Sequence, residues 1–132
     1  MISVESELIA HGVRPRKKLG QHFLIDRNVM EKLVEVADLG PSDTVLEIGA
    51  GTGSLTSMIE KQAGRVVAVE KDPALTNLLS RKFAKSKNVQ IIEGDILKIQ
   101  PPKFDKVVSS PPYNISSKLV LLLLKKSFER LV

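Results

Sequence analysis

Three groups of residues in this 132-residue chain have types and spacings that could do chemistry. In "EIGAGTGS" (47–54), Gly49, Gly51 and Gly53 stand where an apolar run hands over to a helical pattern. There a backbone free of Cβ atoms can bend tightly and let a ligand approach. Glu70 ends the run "RVVAVE", about 20 residues beyond the first glycine, where an acidic side chain accepts hydrogen bonds from both hydroxyls of a ribose. Asp95, in "EGDI", is placed to accept from an aromatic amino group. The third group is "VVSSPPYNISS" (107–117). Pro111 and Pro112 remove two backbone donors and fix φ, so the polar groups left there are acceptors, the Ser110 hydroxyl and nearby carbonyls. Such a corner suits an amino group. An aromatic amine is a poor nucleophile because its lone pair is delocalised; two acceptors on its N–H bonds turn the lone pair outward, while Tyr113 stacks on the ring.

Each group also has an ordinary use. Glycines allow close strand–helix packing, Glu70 could be a strand-end charge, Asp95 a turn former, and Pro-Pro-Tyr a turn with a packed ring. Their placement on the elements weighs against coincidence. "TVLEIG" (44–49), "RVVAVE" (65–70), "VQIIEG" (89–94) and "DKVVSS" (105–110) read as four buried strands. Helical patterns alternate with them: Val29, Met30, Leu33, Val36 and Ala37 behind Asp26 as N-cap and ending at Gly40-Pro41; Leu55, Met58 and Ile59; and Leu75, Leu78, Leu79 and Phe83 behind Asp72 as cap with Pro73 at the first helical position. Strand–helix alternation predicts a parallel sheet with right-handed crossovers. The glycines, Glu70, Asp95 and Ser110 then all fall at the C-terminal ends of strands, around one crevice.

The composition bounds what that crevice can do. Hydrophobic residues at 42% and charged residues at 27% describe a globular chain of one domain. With no cysteine and two isolated histidines, neither disulfides nor a metal site is expected. The start lacks a signal-peptide pattern and "LVLLLL" (119–124) is too short to span a bilayer, so a cytoplasmic protein with no membrane partner is expected. A net charge of +5 favours an anionic partner, nucleic acid before membrane. "RPRKK", with Arg14, Arg16, Lys17 and Lys18, reads as an exposed basic arm. The expected division is an arm over 1–25 and a cofactor-binding domain over 26–132.

A dinucleotide fingerprint would place its third glycine at 54, where this chain has Ser54. The GxGxG variant suits an adenosine ligand without a pyrophosphate, and S-adenosylmethionine is one. Methyl transfer from a sulfonium needs mainly in-line placement and no strong general base. At this point "KKLGQHFLID" (17–26), "LEIGAGTGSLT" (46–56), "VVAVEKD" (66–72), "IIEGDIL" (91–97) and "VVSSPPYNISS" together resemble the ribosomal RNA adenine N6,N6-dimethyltransferases, archaeal-like and related to the erythromycin-resistance methylases. The resemblance runs from about Arg14 to the end of the chain. It implies an α/β, Rossmann-like methyltransferase fold that takes S-adenosyl-L-methionine and dimethylates adenine in small-subunit rRNA. By position it implies cofactor contacts from Gln21, His22 and Leu24 in the arm and from Gly49, Gly51, Glu70, Asp95 and Ser110, with Ser110, Pro112 and Tyr113 at the reaction centre.

The chain departs from that pattern in two ways. Relatives usually have asparagine where this chain has Ser110 and leucine or isoleucine where it has Pro111, although "SPPY" resembles the wider Asp/Asn/Ser-Pro-Pro-aromatic pattern of amino-group methyltransferases. Relatives also continue through further strands and a helical RNA-docking domain, whereas this sequence reads as truncated after the fourth strand and its helix. That implies an unpaired fourth-strand edge guarded only by Lys103 and Lys106, and with it either self-association through the fourth strand and its following helix or a longer parent polypeptide. Two other functions fit parts of the pattern: methylation of another amino group, on a protein or a small molecule, and a non-catalytic RNA-binding assembly factor.

Overall fold

The computed structural model describes residues 27–109 and 130–131. Its elements run α1 (Arg27–Ala37), β1 (Thr44–Ile48), α2 (Ser54–Glu60), β2 (Arg65–Glu70), α3 (Pro73–Lys82), β3 (Val89–Glu93), β4 (Lys106–Ser109) and β5 (Arg130–Leu131). The strands form one sheet in the order β3-β2-β1-β4-β5, and every pairing is parallel. Parallel neighbours need crossovers, and α2 and α3 supply those from β1 to β2 and from β2 to β3.

Alternation along the strands separates two apolar layers. Leu46, Ile48, Val67, Val69 and Val107 pack with Ile96 and Phe104 on one face. Val45, Val66 and Val108 pack on the other with Val34 and Ala37 of α1 and Leu55 and Ile59 of α2. Beside that second layer, Ala68 meets Leu79 of α3 and Phe83. Covered on both faces, β1, β2 and β4 are almost continuous in buried residues, as the centre of a parallel sheet requires.

Four expectations change. β3 is an edge strand, and its residues are half-buried or exposed rather than buried, because only β2 flanks it. In α1, Val29 and Val36 are 47% and 48% exposed; the core stripe is Met30, Leu33, Val34 and Ala37. That is the i, i+3, i+4, i+7 spacing of one helical face, and Val29 and Val36 fall on its flank. The fourth strand is not open along its whole edge, since β5 pairs with its first half at Lys106↔Arg130 and Val107↔Leu131. Lys106 is not an edge guard either. It is only 5% exposed, and its Nζ donates to Asp43 Oδ2 at 2.9 Å and to the carbonyl of Asp38 at the end of α1. Asp43 Oδ2 also accepts from Gly40 N at 2.7 Å. The hydrogen bond from Lys106, then that from Gly40, hold the Asp43 carboxyl below its ordinary pKa of 3.8. The α1–β1 loop and the start of β4 are thereby tied into one knot.

Candidate cofactor site

Register brings the site together. Ile48 lies beside Val69 on one side and Ser109 on the other, and Glu70 lies beside Glu93, so the C-terminal ends of four strands form one rim. The glycine turn is tied to that rim by Gly49 N and Ala50 N, which donate to the Val69 carbonyl at 2.9 and 3.3 Å. Gly94 N donates to the Glu70 carbonyl at 2.9 Å, fixing the turn that carries Asp95.

The turn itself favours glycine at three positions. Gly49, Gly51 and Gly53 have φ of 75°, 59° and 86°, the left-handed region that costs other residues roughly 1–2 kcal/mol each. Their uses differ. A Cβ on Gly53 would lie 2.7 Å from Phe83 Cε2 and 3.0 Å from Leu79 Cδ2, so this glycine serves helix packing. Gly51 instead turns its amide onto Glu70 Oε1 at 2.8 Å.

Glu70 is the hub of the rim. Only 7% exposed, it accepts from Gly51 N through Oε1 and from Lys71 N and Asp72 N, at 2.8 and 2.9 Å, through Oε2. A carboxylate offers about four acceptor positions. Three are used within the protein, which fixes both oxygens in direction. Asp72 then caps α3 by accepting from Ala74 N at 2.9 Å. Asp95 is half-buried and forms its own turn, with Oδ1 accepting from Leu97 N at 3.0 Å and its carbonyl from Lys98 N at 2.8 Å. The turn-forming use of Asp95 is therefore present at the rim position expected for a ligand contact.

Arg14, Arg16, Lys17, Lys18, Gln21, His22, Leu24, Ser110, Pro112 and Tyr113 lie outside the described residues. The approach to the Ser-Pro-Pro-Tyr corner is described: Ser109 Oγ donates to the Ile48 carbonyl at 3.2 Å, pinning the end of β4 beside the glycine turn.

The sequence reading missed Glu47. It is 1% exposed near the C-terminal end of β1, where it accepts from the Thr56 hydroxyl of α2. Burial pushes its carboxyl up to about 8; the Thr56 hydrogen bond opposes this, and the charge of Glu70 adds to it. At neutral pH the group is mostly protonated. An acid inside the apolar run "TVLEI", two residues before the first glycine, was the available signal.

The donor and acceptor set defines the ligand chemistry. Glu70 and Asp95 are acceptors, the Gly51 amide is already used by Glu70, and no group of three or more metal-ligating side chains occurs among the described residues. A pyrophosphate would meet carboxylates here. A ligand with a ribose, an amino-bearing base and cationic charge fits.

The fold is the Rossmann-like fold of S-adenosylmethionine-dependent methyltransferases. It is similar to a dimethyladenosine transferase from Plasmodium falciparum (TM-score 0.74, 33% identity, 80% of this chain and 39% of that one) and to the 23S rRNA methyltransferase ErmE (TM-score 0.73, 34% identity, 79% and 43%). Residues 12–131 match the ribosomal RNA adenine dimethylase family, and the chain belongs to that family. Curated relatives called probable ribosomal RNA small subunit methyltransferase A include one from Methanosarcina mazei, 50% identical over 109 residues (83% of this chain, 40% of the relative). Another, from Pyrococcus abyssi, is 45% identical over 125 residues (95% and 46%). The chain spans less than half the length of these relatives.

Proposed function

We propose that this chain is the cofactor-binding portion of an S-adenosylmethionine-dependent enzyme that dimethylates adenine N6 in small-subunit ribosomal RNA. The observation that carries this is the Gly51–Glu70 contact. It locks a left-handed glycine turn onto an acidic strand end, in a chain whose family match covers residues 12–131. When bound, the cofactor supplies an electrophilic methyl on a sulfonium.

The chain's own residues do the rest. Glu70, its oxygens fixed by three amides, directs its remaining acceptor position at a ribose hydroxyl. Asp95 offers its other oxygen to the adenine amino group of the cofactor. In this reading Gln21, His22 and Leu24 close the site from the arm. Ser110 and neighbouring carbonyls hold the N–H bonds of the target amine, Pro112 keeps the corner stiff, and Tyr113 stacks on the target base. With the cofactor held, these residues would turn the target nitrogen's lone pair toward the methyl group, and the displaced amine proton would leave to water. Orientation supplies most of the acceleration. Arg14, Arg16, Lys17 and Lys18 meet RNA phosphates, and the enzyme works in the cytoplasm during ribosome assembly. Among the described residues no helix is long and apolar enough to cross a membrane.

Calorimetry with S-adenosylmethionine, followed by methyl transfer to rRNA and to protein acceptors, tests this reading. Cofactor binding with transfer to rRNA adenine alone is expected. Absent cofactor binding, or transfer to a protein amide, would overturn it.

A further inference from the structure

The described residues hold their charge unevenly. Twelve lysines and arginines and eleven carboxylates lie between residues 27 and 109, yet 61–69 and 73–92 contain no Asp or Glu. Those two stretches carry Lys61, Arg65, Arg81, Lys82, Lys85 and Lys87, while all eleven carboxylates lie elsewhere. The cations come from three places in the chain, and the fold brings these together. Lys61 caps the end of α2, Arg65 opens β2, Arg81 and Lys82 end α3, and Lys85 and Lys87 lie in the turn into β3.

Contacts across this end of the sheet hold the segments side by side. Asn88 Nδ2 donates to the carbonyls of Glu60 and Ala63 at 3.1 and 3.2 Å, Val66 N donates to the Asn88 carbonyl at 2.8 Å, and Arg65 bonds Gln90 Oε1. Of the acids that border this end, Glu60 already accepts from Ser86 Oγ, Asp43 accepts from Gly64 N and Arg65 N through its carbonyl, and Glu31, Glu35 and Asp38 line a groove with Lys61 on its α1 side. Lys82 reaches toward the glycine turn, donating to the Thr52 carbonyl at 3.0 Å. Lys61, Arg81, Lys85 and Lys87 are exposed, and none takes part in a salt bridge among the described residues.

We infer that this end of the fold is a second RNA-contacting surface, where a phosphodiester backbone lies across Lys61, Arg81, Lys85 and Lys87. The inference rests on the reading that the chain acts on RNA. The β2 side of this surface, at Arg65, lies five strand residues or about 17 Å from Glu70, while its α3 side runs toward the glycine turn through Lys82. Four cations spread over two helix ends and a turn suit an extended polyanion better than one small anion. Flexible ammonium groups track phosphates without reading bases, so this surface adds affinity and orientation while sequence choice stays with the crevice.

The test is the salt dependence of binding of the full chain to a small-subunit rRNA fragment, for wild type, for Lys61→Gln/Arg81→Gln/Lys85→Gln/Lys87→Gln, and for the charge-keeping Lys61→Arg/Lys85→Arg/Lys87→Arg. The log–log slope should flatten in the glutamine variant by about 0.7 per lost contact on single strands and about 0.9 on duplex, and keep its wild-type value in the arginine variant. Calorimetric cofactor binding should be the same in all three. An unchanged slope in the glutamine variant with cofactor binding intact overturns this surface and leaves the proposed function standing. A slope that falls in the arginine variant as well also overturns it, by tracing the effect to structure and not to charge. Failure of wild type to bind cofactor, with the slope falling as expected, would instead sink the function and leave the surface.

Discussion

Glu47 and Glu70 are two acids near one glycine turn with opposite circumstances. Glu70 is surrounded by amide donors, whereas Glu47 has one hydroxyl donor and almost complete burial. Folded Glu47 keeps its proton up to about 8, while the unfolded chain releases it near 4.5. Between those values the folded state binds more protons, so this group's stabilising contribution is complete below about pH 4.5 and is lost as pH rises toward 8. The slope is up to about 1.4 kcal/mol per pH unit. Glu47→Gln keeps the shape without the titration, so its melting midpoint should decline less than that of wild type across this interval; parallel declines would disprove a buried neutral Glu47. At Glu70 the expectation concerns ligand binding. Glu70→Ala should weaken S-adenosylmethionine binding by roughly 1.5–3 kcal/mol, the usual worth of hydrogen bonds to a charged group. Tyr113→Ala should leave that affinity nearly unchanged and abolish transfer. Equal affinity losses in calorimetry would remove Tyr113 from the target base.

Among the elements, the knot of Lys106, Asp43 and the Asp38 carbonyl carries the clearest consequence. Lys106→Met leaves the half-buried Asp43 carboxylate without its cation, which should cost about 1–3 kcal/mol in denaturant unfolding. Adding Asp43→Asn should recover part of that loss, and strict additivity would mean the two do not interact. Because the pKa of Asp43 is lowered in the folded chain, its stabilisation is present above 3.8 and is lost as pH falls through the lowered value, the reverse of Glu47. Asp72→Ala should cost about 1 kcal/mol through loss of the α3 cap. That cap was legible in the sequence, because Asp-Pro before an apolar period is a local signal. So were the tight turn at the three glycines and the position of Glu70 at the end of β2, because both depend on neighbours along the chain and on strand order; that Glu70 would accept three backbone amides was not. Lys106 and Glu47 were not legible in the same way. A lysine at a strand start reads as solvent-facing unless Asp43, 63 positions earlier, is known to lie beneath it, and an acid in an apolar run does not name Thr56 as its partner. The face of α1 was misjudged for a related reason: several apolar periods fit one short helix, and only the sheet selects among them.

For the whole molecule, the described portion contains a complete glycine turn, acidic hub and Asp95 turn, while the relatives run to more than twice the matched length. The 132-residue chain should therefore bind S-adenosylmethionine in calorimetry yet transfer methyl groups to rRNA more slowly than a relative of full length. Equal rates under matched conditions would show that the portion spanned here suffices. The strand order also has a kinetic side. β1 meets β2, and β2 meets β3, across single crossovers, but β1 meets β4 only after a chain separation of 61 residues at Ser109–Ile48. Loop closure must be completed before distant contacts contribute, so the three strands nearest in sequence should assemble early and β4 should dock late. In stopped-flow measurements, Val67→Ala should mainly slow refolding and Val108→Ala should mainly speed unfolding, although both side chains are fully buried in the finished sheet. If so, the strand that leads into the Ser-Pro-Pro-Tyr corner is the last to be secured and the first to come loose, and the glycine turn can exist for a time in a chain that has not yet acquired its reaction centre.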